Sequence, residues 1–187
     1  VATSSSNVNV AVTGAVYACA AGDAPDAPAT AIAVLDVLFA DLGYISDDGI
    51  TESYSDDTTE IKAWQGGVTV RTIISGSTAT IKFMMIENKR EAVELYHKGS
   101  VMVSDGSTGY KIDIMVPTPD PRAFVLDIID GNDHERIYIS NGEVSARSDL
   151  VYKSDTEIGY EVTVTMYPNN GVVCTKFSDK ASWAPAA

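Results

Sequence analysis

The chain has 187 residues, 45% apolar and 21% charged, which suits one well-cored globular domain and excludes a disordered chain. Thirteen Lys and Arg stand against 26 Asp and Glu, a formal net charge of −13, so tight duplex DNA binding and adsorption to anionic membranes are excluded. The longest apolar stretch, Ala31 to Ala40, is too short for a membrane span and is broken by Asp36.

Residues 1–7 are Ser-rich and read as an N-terminal arm. Val8 to Ala21 is apolar and Ala-rich, but no Lys or Arg precedes it. A secretory signal is therefore not expected, nor export by that route. Cys19 lies among Val16, Tyr17 and Ala18, and Cys174 follows Val172 and Val173. Both read as buried, reduced thiols packing as small hydrophobes. Gly22 to Pro28 carries Asp23, Pro25, Asp26 and Pro28 and must be loop.

Leu35, Leu38, Phe39 and Leu42 recur at helical spacing, predicting a short helix near 31–42 with Thr30 as N-cap and Gly43 as its stop. Tyr44 to Glu60 is dense in turn formers and acids around a short strand, Ile50 to Tyr54. It predicts a long polar hairpin reaching beyond the core. Strands follow at Val68–Ile74 and Thr78–Ile86, separated by a Gly76-Ser77 turn. A second helix is predicted over 89–98, with Asn88 as N-cap, Glu91 completing a capping box, and Gly99 ending it. Its buried face is Ala92, Val93 and Tyr96, with Leu95 beside them.

Further strands are read at Tyr110–Val116, Phe124–Asp130, Glu135–Ser140, Glu157–Tyr167 and Val172–Phe177, with an Asp105-Gly106 turn before the first. The Glu157 stretch alternates most strictly. Ile158, Tyr160, Val162, Val164 and Met166 point one way, and Glu157, Glu161, Thr163 and Thr165 the other. Residues 178–187 close as a C-terminal arm. Many antiparallel strands with two interposed helices predict a single mainly-β (α+β) domain over 1–187, an antiparallel sandwich or barrel occupying 8–177.

No catalytic set emerges. Phosphate-binding Gly motifs, an H-E-x-x-H pair and a G-x-S-x-G elbow are all missing. His97 reads as a helix-end residue and His134 as a turn residue, so no transition-metal site is expected. Asp47-Asp48-Gly49, Asp56-Asp57 and Asp130-Gly131-Asn132-Asp133 lack the ligand spacing of an EF-hand and match turn chemistry instead. No cofactor is expected.

One stretch is more specific: Phe39-Ala40-Asp41-Leu42-Gly43-Tyr44-Ile45-Ser46-Asp47-Asp48-Gly49-Ile50-Thr51-Glu52. It resembles the major tail tube protein of long-tailed, non-contractile bacteriophages, especially those infecting actinobacteria. Val12-Thr13-Gly14-Ala15-Val16-Tyr17 is similar to that family's first strand. Ala63-Trp64-Gln65-Gly66-Gly67 with Val70-Arg71-Thr72 resembles the turn after its long hairpin, and Ile86-Glu87-Asn88 leads into its helix. Glu157 to Pro168 resembles its closing strand. The likeness spans roughly residues 8–177.

The resemblance implies a β-sandwich of the tail tube type with a flanking helix, the fold shared with type VI secretion tubes. It implies no enzyme activity. It implies hexameric rings of this one chain, stacked into a tube around the tape-measure protein, meeting tail tip and terminator proteins, with double-stranded DNA in transient, non-specific passage and no membrane partner. The protein would reside in the virion tail after assembly in the cytoplasm of the bacterial host. Tyr44, Asp47, Asp48, Glu52, Asp56 and Asp57 are then the expected inter-ring contacts, and Glu157, Glu161, Thr163 and Thr165 the expected lumen-facing residues. Acids on a lumen would repel passing phosphates within a Debye length of about 8 Å. Three other readings stay open: a soluble β-sandwich module binding carbohydrate or protein, a carboxylate-dependent hydrolase, and a secretion-tube subunit.

Overall fold

The computed structural model describes residues 5–184. The outermost parts of both expected arms, residues 1–4 and 185–187, lie outside the described residues. Ten strands and one α-helix follow in chain order: β1 (Thr13–Ala18), β2 (Ala40–Asp41), β3 (Ile45–Lys62), β4 (Thr69–Met85), α1 (Arg90–Tyr96), β5 (Met102–Ser104), β6 (Tyr110–Ile112), β7 (Arg122–Asp130), β8 (Asp133–Arg147), β9 (Tyr160–Met166) and β10 (Thr175–Ser178). The fold is mainly antiparallel β, as expected.

One eight-stranded sheet runs β2-β1-β7-β8-β9-β4-β3, with β10 also on β8, while β5 and β6 form a separate small hairpin. The long β8 belongs to both halves of that sheet. Its first part pairs with β7 and β10, its last part with β9, and a register shift lies between Val144 and Ala146. The sheet turns over itself there. Val16, Phe124, Leu126 and Ile139 from one half share a core with Ile81, Phe83, Val162 and Val164 from the other. Two layers therefore enclose one apolar interior, the arrangement that lets alternating strands hide one face. Across the far end, Lys176 on β10 meets Glu52 on β3 at 2.6 Å.

Helix α1 closes the core. Ala92, Val93, Leu95 and Tyr96 are buried, as expected. Tyr96 donates its hydroxyl to the Ser148 carbonyl and packs edge-on against Tyr160, ring centroids 5.6 Å apart. The N-cap position is Lys89, with no side-chain cap bond. Asn88 instead accepts the Tyr160 hydroxyl at 3.0 Å, so the expected capping box does not form. The helix ends at Tyr96 with His97 as its C-cap, earlier than expected, and Gly99, with φ +82°, turns the chain two residues beyond the cap.

The helix expected at 31–42 is absent. Residues 19–39 cross the sheet as an irregular strap, and Ala40–Asp41 pairs with β1 instead. The reason is tertiary. The buried Arg136 guanidinium donates to the carbonyls of Thr30 (3.3 Å) and Ala33 (2.6 Å), and the Asp36 carboxylate accepts the backbone N–H groups of Asp26 and Leu38, both at 2.9 Å. Those partners satisfy the backbone where a helix would have done so. Phe39 and Leu42 of the apolar stripe are buried, but Leu38 is exposed.

Other boundaries move too. Gly76-Ser77 is no turn, because β4 runs straight through it. Tyr44 to Glu60 is one arm of a hairpin rather than a whole one. Its turn lies at residues 63–68, where Gly66 and Gly67 have φ of +80° and +67°. β6 stops at Ile112 and β9 starts at Tyr160, leaving Glu157 outside the sheet. The C-terminal arm begins docked, since Ser178 ends β10 and Asp179 accepts the His134 backbone N–H at 2.8 Å. Cys19 is a buried thiol as expected, whereas Cys174 is half-buried.

Candidate functional site

β3 pairs with β4 alone, and β4 pairs with β9 only over Ala79–Met85. Ser55 to Lys62 and Thr69 to Thr78 thus bond only to each other, a two-stranded arm standing clear of the core. Period-two propensity builds it: Thr58, Thr59 and Ile61 face Ile74, Ile73 and Arg71 across the ladder. Every residue from Ser53 to Lys62 is exposed. So are Val68, Val70 and Ile74, while Trp64 at the turn is 97% exposed. Among the described residues the outer edge of β3 has no strand beside it. An exposed arm that carries Ile61, Val70, Ile74 and Trp64 beside an open edge is what a lone protein avoids, because each feature invites association.

The six residues expected to make contacts do not form one patch. Tyr44, Asp47 and Asp48 sit at the start of β3, where Ser46 to Gly49 bulge out between the Ile45–Met85 and Ile50–Phe83 pairs. Glu52 points inward to Lys176. It also accepts the Tyr54 hydroxyl, whose pKa is pushed up by burial and by this carboxylate. Asp56 and Asp57 lie on the arm, and Asp56 accepts the Ser77 hydroxyl at 2.6 Å.

Beside the start of β3 opens a groove of about 690 Å³. Val12, Ile45, Ile50 and Ile128 supply apolar walls, while Asp41, Asp47 and Glu87 bring carboxylates. Asp127 also lines it, but Arg136 holds that carboxylate at 2.5 Å. Nothing in the sequence marked this groove, because β3 meets β1 and β7 there only where the two ends of the sheet pack together.

Glu161, Thr163 and Thr165 do share the outward face of β9, opposite the buried Tyr160, Val162, Val164 and Met166. Register extends that face over three neighbours. Thr80 lies between Thr165 and Ser53, Lys82 between Thr163 and Thr51, and Thr78 faces Ser55. Ser145 on β8 accepts the Thr165 hydroxyl at 2.8 Å. The face is therefore dominated by hydroxyls. Its main acid is bridged: Lys82 reaches Glu161 at 2.9 Å, and hydrogen bonding from Ser148, then Lys82, holds the Glu161 carboxyl below its usual range. The signal for the added residues was the alternation of Thr51, Ser53 and Ser55, and of Thr78 and Thr80.

Among the described residues no group of three His, Cys, Asp or Glu is placed to hold a metal, and no helix is long and apolar enough to cross a membrane. A family model described as phage tail tube protein matches residues 1–186. No curated protein matches in sequence. One solved structure with similarity is a chain from the virion of a native gene transfer agent particle, with 13% identity, 78% of this chain and 92% of that chain covered, and a TM-score of 0.41.

Proposed function

Since the chain belongs to the family of phage tail tube proteins, a structural component of the virion tail, we propose that its copies close into hexameric rings that stack into the tube. The tube encloses the tape-measure protein, ends against tail tip and terminator proteins, and conducts the genome. Rings form in the cytoplasm of the bacterial host. The observation that carries this reading is the β3–β4 arm, whose outer edge is unpaired among the described residues and whose tip exposes Trp64 and Val68. Lateral pairing between copies would cover such an edge, and stacking would cover such a tip.

The hydroxyl face across β3, β4, β9 and β8 is the best-suited lumen surface. Its net field is weak, because Lys82 offsets Glu161 and Lys98 offsets Glu143 at 2.7 Å. DNA would slide over hydroxyls that neither grip nor strongly repel its phosphates. The chain's excess acid then lies mostly on other surfaces, where it keeps free subunits apart. Tyr44, Asp47 and Asp48 would meet the neighbouring ring at one end of β3, and Asp56 and Asp57 at the other.

Negative-stain electron microscopy of the purified protein at high concentration tests the reading. Rings or hollow tubes are the expected result. A monodisperse monomer at every concentration would favour a soluble binding module instead.

A further inference from the structure

We infer that the tip of the β3–β4 arm of one copy seats in the groove beside the start of β3 of a second copy, and that this contact joins successive rings. The inference rests on the tube reading above and names the surface that receives the arm.

Three observations lead there. First, tip and groove lie at opposite ends of one strand. Ile50 lines the groove and Ala63 opens the turn, and thirteen residues of extended chain span about 43 Å. The tip cannot fold back into its own groove. A contact between opposite ends of identical molecules is heterologous, and with its direction along the tube axis it extends as a stack rather than closing into a ring.

Second, the charges are complementary although the chain as a whole is acidic. Asp41, Asp47 and Glu87 line the groove with no ion pair among the described residues, and the one ammonium beside them, Lys89, donates to the Asp41 carbonyl rather than to a carboxylate. At the tip, Arg71 has no ion pair among the described residues, and Lys62 has only an exposed contact with Glu60 at 3.7 Å. Both Lys62 and Arg71 lie on the part of the arm that pairs with no other strand among the described residues.

Third, the apolar parts match. Trp64, 97% exposed, stands at the turn with Ile61 and Val70 behind it. The groove offers Val12, Ile45, Ile50 and Ile128 within about 690 Å³, which accommodates an indole and its neighbours. Trp and Arg are both enriched among interface hot spots, and the carboxylates can accept both the indole N–H and the guanidinium.

The test uses paired cysteines in a Cys174→Ser background, in which Cys19 stays buried. Gln65→Cys at the tip is combined with Val12→Cys in the groove, leaving Trp64 and the carboxylates intact. Oxidised tubes should run as a ladder of cross-linked chains on a non-reducing gel. Gln65→Cys combined with Tyr110→Cys on β6 should give none. In parallel, Trp64→Ala and Arg71→Glu should each raise the concentration needed for assembly by about tenfold. Tubes that form without the ladder, or Trp64→Ala assembling at the wild-type concentration, would overturn the docking while leaving the tube intact. A wild-type protein that forms no rings or tubes would sink the tube reading, and the docking with it.

Discussion

Lys82 Nζ on β4 lies 2.9 Å from Glu161 Oε2 on β9, a diagonal contact between residues that face Thr163 and Met84 in register. Ser148 also donates its hydroxyl to the same carboxylate. Both charged side chains remain partly exposed, so the pair contributes at most about 1 kcal/mol to stability. Its larger effect is on the field of the face, where a lone glutamate would repel phosphate and a bridged one does so weakly.

Glu161→Lys should replace that bridge with two adjacent cations. Stability should fall by no more than about 1 kcal/mol, because solvent screens both groups. In a hexameric tube the change repeats at one level of every ring, and genome ejection should slow most at low salt. Ejection kinetics of wild-type and variant virions at two salt concentrations measure this. Identical kinetics with intact tails would remove this face from the lumen.

Val93→Asp should lower thermal stability sharply. Val93 is 7% exposed in the core beneath α1, and an unpaired carboxylate there costs several kcal/mol unless the helix undocks. An unchanged melting temperature would refute the packing described for this helix.

Shortening the arm must be done on both strands together, since Thr58 faces Ile74. Replacing residues 59–73 by Asn-Gly leaves a two-residue hairpin with the register preserved. The folded subunit should keep its stability within about 0.5 kcal/mol, because the removed residues lie outside the core. Tubes should no longer stack. Normal tubes seen by electron microscopy would contradict an inter-ring role for the arm.

Arg136→Met should destabilise by about 3–5 kcal/mol, because it leaves the Asp127 carboxylate half-buried without its partner. The same change frees the Thr30 and Ala33 carbonyls. Limited proteolysis should then cut within residues 20–38 before any other site. Asp127→Asn in the same chain should recover part of the loss, and chemical denaturation of the three variants measures it.

Acidification should destabilise the subunit in two steps. Burial, reinforced by Arg147, pushes the His97 pKa below 6.5, so the unfolded chain binds the proton more readily and stability falls as pH drops below about 6.5. The Lys98 hydrogen bond, followed by the Asp120 N–H, lowers the Glu143 pKa from 4.5. Its contribution is present above about pH 4.5 and disappears as pH falls through the lower folded value. Glu161 contributes to the same acid step, so denaturation across pH 3–8 should show Glu143→Gln reducing the acid step and leaving the His97 step unchanged.

Strand content and the core of β9 were legible in the sequence because alternation is local. A strand's own residues set which side chains share a face, and Tyr160, Val162, Val164 and Met166 are indeed the buried set. The buried side of α1 was legible for the same reason, as Ala92, Val93 and Tyr96 recur at helical spacing. So was the likeness of the Phe39 to Glu52 stretch to a tail tube protein. The pattern at 31–42 misled because helical spacing is only a local preference. Arg136, a hundred residues away, supplies the partners that keep Thr30 and Ala33 out of a helix. Gly76-Ser77 misled likewise, since the two-residue turn signal is absorbed as a bulge, a register shift after the Asp57–Gly76 pair, in a ladder with β3 that continues on both sides.

What the sequence by itself determined is a mainly-β fold, its principal apolar faces and the family it resembles, all carried by neighbours along the chain. Tertiary structure alone decided that β8 serves both layers, that Glu161 is bridged by Lys82, and that Trp64 and the carboxylate groove occupy opposite ends of β3. Those relationships depend on sheet register between distant segments, where a shift of one residue moves every side chain to the other face.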